Sequence, residues 1–282
     1  EVSVHATTGP TSVVVEGEGA GNVEQGEDNL VVRALRLALD RVGAPQVGVR
    51  MHCTNRIPHS RGLGSSASAI VAGVTLARAL IGDADVLGRQ EILEIGSHME
   101  GHPDNVAPAV FGGATVSWMN EETSEVGSVR LTPPEGINPV AFIPDFELRT
   151  AAARAALPAT VPHGDASFNV ARGALLAAIL SGGAQASAGA DLHALLMEAT
   201  RDRLHQEQRR AAMEPSLALV DWLRGAGFAA VVSGAGPTVL SLEKVGADIR
   251  RDAAGAGWRV VPLAVAASGV QITRGSLAKV EF

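Results

Sequence analysis

The feature that most constrains the fold is a glycine-rich segment that runs straight into a helical pattern. Residues 62–66 read Gly-Leu-Gly-Ser-Ser, and from Ser65 onward apolar side chains recur at helical spacing. Glycine lets backbone N–H groups approach an anion closely, and a helix N-terminus carries partial positive charge, so this arrangement suits phosphate. The segment from Pro58 to Ser68 therefore predicts an anion cradle, with a structural turn capped by serines as the alternative.

Lysine is nearly absent, which narrows the chemistry of that cradle. Only Lys244 and Lys279 are lysines, and neither follows a glycine-rich stretch. The lysine-containing phosphate loop, the lysine-bearing strand of protein kinases and the serine nucleophile elbow do not occur in the sequence. The hydroxyls of Ser65 and Ser66 can instead donate to phosphate oxygens or ligate Mg²⁺. A dinucleotide fingerprint does not fit, because the acids that follow the glycines come after a helix and not after a strand.

Composition and charge exclude several classes of protein. The chain has 282 residues, 46% of them apolar and 19% charged, which is typical of a globular protein large enough for two domains. Its net charge is −7 and its basic residues do not cluster, so we expect no nucleic acid partner. No apolar stretch reaches the roughly 18 residues of a membrane helix. The single Cys53 and the lack of a secretory signal pattern predict a cytoplasmic protein.

Periodicity predicts an α+β chain with two domains, residues 1–138 and 139–282. Asp28 is expected to cap the first long helix, and a second helix begins at Ser65. Strands are predicted over residues 12–16, 47–53, 114–118, 140–143, 228–232, 238–242 and 260–265, and a further helix over residues 89–99. The alanine-rich part of the second half is expected to be helical. The tail from Gly275 to Phe282 has a strand-like pattern that we cannot place.

A helix end rich in polar groups is the second candidate for chemistry. Pro103 breaks the preceding helix, so Asp104 and Asn105 fall in a loop, where a carboxylate can reach a substrate hydroxyl. His98 and His102 have the i, i+4 spacing of zinc ligands, so a zinc hydrolase is an alternative. The glutamate of the H-E-x-x-H motif is missing, and a third ligand is not evident. A solvated helix end is the simplest interpretation of these residues.

A second glycine-rich turn lies in the second half. Residues 233–238 read Ser-Gly-Ala-Gly-Pro-Thr between two predicted strands. Taken alone, this pattern indicates a hairpin. Two glycine-rich loops in one chain can also meet at a domain interface, where ligand clefts are common, and shape a single nucleotide site.

Together these motifs resemble those of the GHMP small-molecule kinases. The stretches that carry the resemblance are residues 58–68, the segment from Glu94 to Asn105, and residues 233–238, in the family's order. Within that superfamily, residues 100–108 (Glu-Gly-His-Pro-Asp-Asn-Val-Ala-Pro) and 204–209 (Leu-His-Gln-Glu-Gln-Arg) are most similar to the homoserine kinase family. The resemblance implies a two-domain GHMP kinase fold, with an N-domain like domain 2 of ribosomal protein S5 and a ferredoxin-like C-domain.

The resemblance also implies an activity, which is ATP-dependent phosphorylation of L-homoserine to O-phospho-L-homoserine in threonine biosynthesis. By the family pattern, ATP phosphates bind the first glycine-rich loop, Mg²⁺ binds Glu94 and Ser66, with Ser65 as the alternative to Ser66, and adenine lies near Asn29. The loop residues assigned to ATP are Pro58, His59, Ser60, Arg61, Gly62, Leu63, Gly64, Ser65, Ser66, Ala67 and Ser68.

For the acceptor, the resemblance implies that Asn105, Arg154 and Arg209 bind homoserine. Arginine forks suit the carboxylate of an amino acid, and acids or amides suit its ammonium group. Asp104 matches a carboxylate that some related kinases use as the base on the attacking hydroxyl. Positioning and charge neutralisation by Mg²⁺ are the alternative to such a base. A homodimer is a further expectation.

One part of the family pattern is not found in this sequence. The family's first motif, P-x-S-x-A-N-L-G-P-G-F-D, contributes an Asn and an Asp to the substrate pocket, and residues 1–4 resemble the strand that follows it. Either the segment that carries this motif is missing here or the chain is naturally altered. Two other functions stay open: another GHMP kinase acting on a different small alcohol, and a non-catalytic S5-like RNA-binding module.

Overall fold

The computed structural model describes residues 1–83, 85–184 and 191–273 and has an α+β architecture. Its strands are β1 (Val2–Thr7), β2 (Ser12–Gly17), β3 (Gly48–Asn55), β4 (Ala114–Met119), β5 (Val126–Leu131), β6 (Val140–Ile143), β7 (Ala230–Val232), β8 (Val239–Ser241) and β9 (Arg259–Pro262). Its helices are α1 (Leu30–Arg41), α2 (Ser65–Ile81), α3 (Arg89–Glu100), α4 (Val106–Phe111), α5 (Thr150–Ala155), α6 (His163–Leu180), α7 (Leu192–Ala199), α8 (Glu214–Gly225) and α9 (Ala247–Gly255), with a 3₁₀ turn over Glu207–Ala212.

The first half is built on a three-stranded sheet in the order β1-β3-β2. Strand β3 is antiparallel to β1 and parallel to β2, with Met51 aligned to Val4 and to Val13. Alternation along β3 buries Val49, Met51 and Cys53 on one face, as a period of two predicts. Side chains of α1, α2 and α3 join these residues in one hydrophobic core. Strands β4 and β5 form a separate antiparallel pair.

Helices α1 and α2 approach each other closely, and this contact sets the position of α2. A Cβ at Gly73 would fall 2.3 Å from Val31 O and 2.7 Å from Ala34 Cβ, so only glycine fits there. Ile70 and Val74 are buried on the same helix. The middle of α2 is therefore held in the core, whereas its first turn lines a cleft.

The start of α1 differs by one residue from the sequence prediction. Asn29, and not Asp28, is the N-cap, because its Oδ1 accepts a hydrogen bond from Val31 N at 3.0 Å. Its Nδ2 donates to Glu24 O at 2.7 Å. Both residue types cap helices well, so the sequence does not separate two neighbours. The buried position of Asn29 explains the choice, since a buried amide needs partners for both of its polar atoms.

The second half contains a four-stranded antiparallel sheet in the order β7-β8-β6-β9. The central strand β6 is buried along its whole length, and its Phe142 is fully buried. Helices α8 and α9 pack on this sheet through Leu223 and Ala253. Strands β7, β8 and β9 are each shorter than predicted. Strand β9 ends at Pro262. Leu263 N still donates to Pro139 O at 2.8 Å, but Pro139 has no N–H group that could return the bond.

After β9 the chain returns to the first half. Gly113 N donates to Ala266 O at 2.7 Å, and Val270 N donates to Ala109 O at 2.8 Å. Residues 266–270 thus pack on the first half, although the predicted boundary assigns them to the second domain. The division of the chain near residue 138 stays a prediction.

The predicted strand-like tail, residues 275–282, lies outside the described residues. Across the three described ranges, no helix combines the length and the apolar composition needed to cross a membrane.

Candidate active site

The glycine-rich loop and the first turn of α2 present a row of backbone N–H groups. Gly62 and Gly64 both have left-handed backbones, with φ of 71° and 70°. Gly64 is the N-cap of α2, and neither a capping side chain nor an acid in the first turn occupies this helix end. Within the described part of the chain, the N–H groups of Gly62, Leu63 and Gly64 donate to no protein acceptor. Free N–H groups at a helix N-terminus are what an anion needs.

The second glycine-rich turn lies directly against the first. A Cβ at Gly62 would fall 2.3 Å from Ser233 O and 2.8 Å from Gly236 O, so the loop admits no side chain at this position. Ser233 Oγ donates to Gly62 O at 2.8 Å, and Thr238 N donates to Arg61 O at 3.3 Å. The meeting of the two loops that the sequence suggested is therefore confirmed.

A cleft of about 2050 Å³ lies between the two halves and contains most of the predicted site. The glycine-rich loop lines it from the first half, and Arg154 and Arg209 line it from the second. Among the residues assigned from the sequence, Pro58, Ala67 and Glu94 are the ones that do not line it. Pro58 and Ala67 are buried, so they support the loop by packing.

Ser66 meets a different glutamate from the one expected. Ser66 Oγ donates to Glu100 Oε1 at 2.5 Å, whereas Glu94 Oε1 accepts from Gln90 Nε2 at 2.9 Å. The two acids point about 120° apart around α3, so they cannot both face the loop. In this structure Glu100 is therefore the carboxylate beside Ser66, and the assignment of Mg²⁺ to Ser66 and Glu94 stays a prediction.

The two histidines of the zinc alternative do not face each other, because α3 ends before His102. His98 Nδ1 lies 2.8 Å from Glu94 O, and His98 Nε2 lies 3.0 Å from Ser124 O. His102 Nδ1 lies 2.6 Å from Asp104 Oδ1. In the residues that the structure describes, no three His, Cys, Asp or Glu side chains gather as metal ligands. The i, i+4 spacing would indicate a shared site only if the helix continued to His102.

Two residues assigned to the nucleotide use polar atoms inside the protein while lining the cleft. The amide of Asn29 caps α1 and bonds Glu24 O. His59 Nε2 lies 2.6 Å from Asn55 Nδ2, and its ring packs on Gly19, where a Cβ would be 2.7 Å from His59 Cε1. Both residues shape the wall of the cleft, and their contact with a nucleotide stays a prediction.

Arg209, which the resemblance assigns to the acceptor, is a buried cation that lines the cleft from the second half. Its Nε donates to Ala153 O at 3.1 Å, and its Nη1 donates to Gly234 O at 3.4 Å. Burial lowers the pKa of the Arg209 guanidinium, Asp202 raises it, and the neighbouring Arg154 lowers it. Two adjacent guanidinium groups repel each other, and a carboxylate bound between them would relieve that repulsion. The structure thus brings Arg154 and Arg209 together, while Asn105 lies across the cleft beside the phosphate loop.

Asp202 orders the turn that carries Arg209, and the sequence reasoning missed it. Its carboxylate accepts hydrogen bonds from Asn169 Nδ2 at 2.7 Å, His205 N at 2.9 Å and Gln206 N at 2.7 Å. Burial would raise the pKa of Asp202, but these hydrogen bonds and one from the His205 ring hold it below its usual value. The sequence does contain a signal for this role. An aspartate at the start of a polar turn can accept hydrogen bonds from the backbone N–H groups of the residues that follow it.

Comparison with known proteins gives the family of the chain. The family model described as GHMP kinases N terminal domain matches residues 29–113, and the one described as GHMP kinases C terminal matches residues 176–254. The homoserine kinase of Streptomyces avermitilis is 42% identical over 274 residues, which are 96% of this chain and 86% of that relative. The homoserine kinase of Corynebacterium kroppenstedtii is 42% identical over an alignment of 283 positions, which covers 98% of this chain and 87% of that relative.

A solved structure agrees with the fold. The crystal structure of homoserine kinase from Cytophaga hutchinsonii superposes with a TM-score of 0.78 at 22% identity, over 95% of this chain and 86% of that one. The two-domain α+β fold of the GHMP kinases, expected from the sequence, is thereby confirmed. The finer descriptions of the domains as S5-like and ferredoxin-like stay predictions. From the two family models and the long matches at 42% identity, we conclude that this chain belongs to the homoserine kinase family of the GHMP kinases.

Proposed function

We propose that this chain transfers the γ-phosphoryl group of ATP to the side-chain hydroxyl of L-homoserine, producing O-phospho-L-homoserine for threonine biosynthesis. The observation that carries the proposal is the row of free N–H groups from Gly62 to Gly64, which leads into the uncapped α2 in the same cleft as Arg154 and Arg209. The N–H row suits a triphosphate, and the arginine pair suits the carboxylate of an amino acid.

Mg²⁺ fits beside the nucleotide site. Ser66 Oγ and Glu100 Oε1 lie 2.5 Å apart at the first turn of α2, and both are oxygen ligands of the kind that Mg²⁺ takes. Mg²⁺ usually needs only one or two protein ligands beside phosphate oxygens and water. When bound, it neutralises charge on the β- and γ-phosphates. Ser66 and Glu100 would hold it against the loop.

On the acceptor side, charge and position govern the reaction. Arg154 and Arg209 bind the carboxylate of homoserine, and Asn105, beside the phosphate loop, meets its hydroxyl end. Asp104 takes the hydroxyl proton as the oxygen attacks phosphorus. His102 lies beside that carboxylate, with its Nδ1 2.6 Å from Asp104 Oδ1. Phosphoryl transfer depends mainly on such positioning and on charge neutralisation.

The proposal places the enzyme in the cytoplasm, where thiols stay reduced. Cys53 is buried in the core, and burial raises its thiol pKa to about 11, so we give it no part in the reaction. The homodimer expected from the family stays a prediction.

An ADP-release assay with four alcohols tests the function. We expect L-homoserine to give the highest kcat/KM, because galactose offers no carboxylate to the arginine pair, and mevalonate and shikimate lack the ammonium group. A ³¹P NMR spectrum of the product should show a phosphate monoester on the homoserine hydroxyl. A higher kcat/KM for another of these alcohols would identify a different GHMP kinase. RNA binding without ADP release would favour the S5-like RNA-binding module.

A further inference from the structure

Arg61 lies in the glycine-rich loop, but its guanidinium is used to hold that loop in place. Its Nε donates to Pro144 O at 2.9 Å, its Nη2 to Asp145 O at 2.7 Å and its Nη1 to His59 O at 3.0 Å. A longer contact of 3.4 Å joins Nη1 to Glu147 Oε1. Because a guanidinium has five N–H donors, these acceptors leave it little capacity to bind a phosphate as well.

Backbone hydrogen bonds also hold the loop against the second half of the chain. Leu148 N donates to Ser60 O at 3.1 Å, and the carbonyls of Arg61 and Gly62 accept bonds from the second glycine-rich turn. In a trans peptide, the C=O of one residue and the N–H of the next point in opposite directions. Since these carbonyls face the second half of the chain, the N–H groups that follow them, including that of Leu63, point away from it. These hydrogen bonds therefore set the orientation of the N–H groups of Gly62 and Leu63.

We propose that Arg61 is a positioning residue that sets the nucleotide site and the acceptor site at once. It fixes the loop whose N–H groups take the phosphates of ATP. It also fixes residues 144–148, which lead into α5, where Arg154 lies and where Ala153 O accepts Arg209 Nε. The inference rests on the proposed function, and Arg61 acts in it through these two segments without touching either substrate.

The variant Arg61→Lys distinguishes a positioning role of Arg61 from direct binding of phosphate. The carbonyl contacts leave Arg61 from Nε and from both Nη atoms of one planar fork, which the single ammonium of lysine cannot reproduce. A direct phosphate ligand, in contrast, could be replaced by lysine, because lysine binds phosphate as a point charge. The two roles therefore predict opposite results for Arg61→Lys.

The test compares Arg61→Lys and Arg61→Ala with the wild type, and Glu147→Gln serves as the matched control. We expect both Arg61 variants to raise the KM for ATP and the KM for homoserine by at least about 10-fold, because a displaced loop and a displaced α5 lose hydrogen bonds and charge contacts to the two substrates. We expect Glu147→Gln to change either KM by less than about 2-fold, because the contact is long and the glutamate is exposed. Calorimetric titration with AMP-PNP gives nucleotide affinity independently of turnover.

Each outcome decides for or against the proposal. Circular dichroism checks folding, and Arg61→Lys, which keeps the charge and the aliphatic stem, carries the test if the alanine variant does not fold. Wild-type affinity for AMP-PNP in Arg61→Lys, a rise in only one of the two KM values, or a Glu147→Gln variant as impaired as Arg61→Ala would overturn the positioning role. An inactive wild type would instead refute the proposed function.

Discussion

Replacing Arg209 by alanine is expected to raise the KM for homoserine by about 100-fold while leaving the KM for ATP within about 2-fold of the wild type. The guanidinium is buried, so it binds a carboxylate with little competition from water. It also stands beside Arg154, and the bound carboxylate relieves the repulsion between the two cations. Steady-state kinetics with each substrate varied in turn give both KM values. Arg209→Lys should recover only part of the loss, because lysine keeps the charge without the fork.

The next residue along the chain provides the matched control. Arg210 is partly exposed, and Glu207 and Asp221 pair with it and raise its pKa. Because exposed ion pairs contribute little, we expect Arg210→Ala to change both KM values by less than about 2-fold. An Arg209→Ala variant that weakens only ATP binding, or an Arg210→Ala variant with the same defect for homoserine, would place the acceptor pocket elsewhere.

Replacing Glu100 by glutamine is expected to lower kcat by about 100-fold and to raise the Mg²⁺ concentration required for half-maximal rate. Glutamine keeps the size of the side chain and can still accept the hydrogen bond of Ser66, so the change removes the negative charge that attracts the cation. Titration of Mg²⁺ at saturating ATP and homoserine measures both effects.

Glu94→Gln is the control for this experiment, since it makes the same chemical change on the same helix. Glu94 bonds Gln90 and lies outside the cleft, so we expect its variant to keep kcat and the Mg²⁺ requirement within about 2-fold. The reverse result, with Glu94→Gln inactive and Glu100→Gln active, would return the metal to the pair inferred from the sequence and refute the pairing of Ser66 with Glu100.

Arginines near the cleft in the second half differ in how their charge is balanced. Arg172 and Arg201 both form ion pairs with Glu198. Together with Arg203 they contact the ring of Phe168. The carboxylates of Glu198 and Asp165 pair with these cations within the protein, and the stacked ring stiffens the wall of the cleft. In the described chain, Arg154 and Arg209 line the cleft without a carboxylate at ion-pair distance, so both can bind an anion from outside.

The sequence predicted best the structural features that depend on residues close to one another in the chain. The alternation of Val49, Met51 and Cys53 requires a half-buried strand, and β3 is that strand. The passage from Gly64 to Ser65 requires a turn that opens a helix, and α2 begins at Ser65. These patterns are local, because each depends on the period of one element or on the conformations that glycine permits.

Sequence patterns do not decide a choice that depends on distant parts of the chain. Glu94 and Glu100 lie on one helix, and only the packing of α3 decides which of them faces the loop. Arg61 looks like a phosphate ligand in sequence, but Pro144 and Asp145, the partners of its guanidinium, lie 83 and 84 residues further along. The return of residues 266–270 to the first half likewise leaves no local signal, because a chain crossing a surface has no period of its own.

A crystal structure with AMP-PNP, Mg²⁺ and L-homoserine tests the central claim most directly, which is that the free N–H groups at the start of α2 bind the triphosphate. We expect the β- and γ-phosphates on the N–H groups of Gly62–Gly64, Mg²⁺ between Ser66 and Glu100, and the homoserine carboxylate on Arg209. A nucleotide bound elsewhere on the chain, with those N–H groups still free, would contradict the assignment of this cleft as the site of phosphoryl transfer.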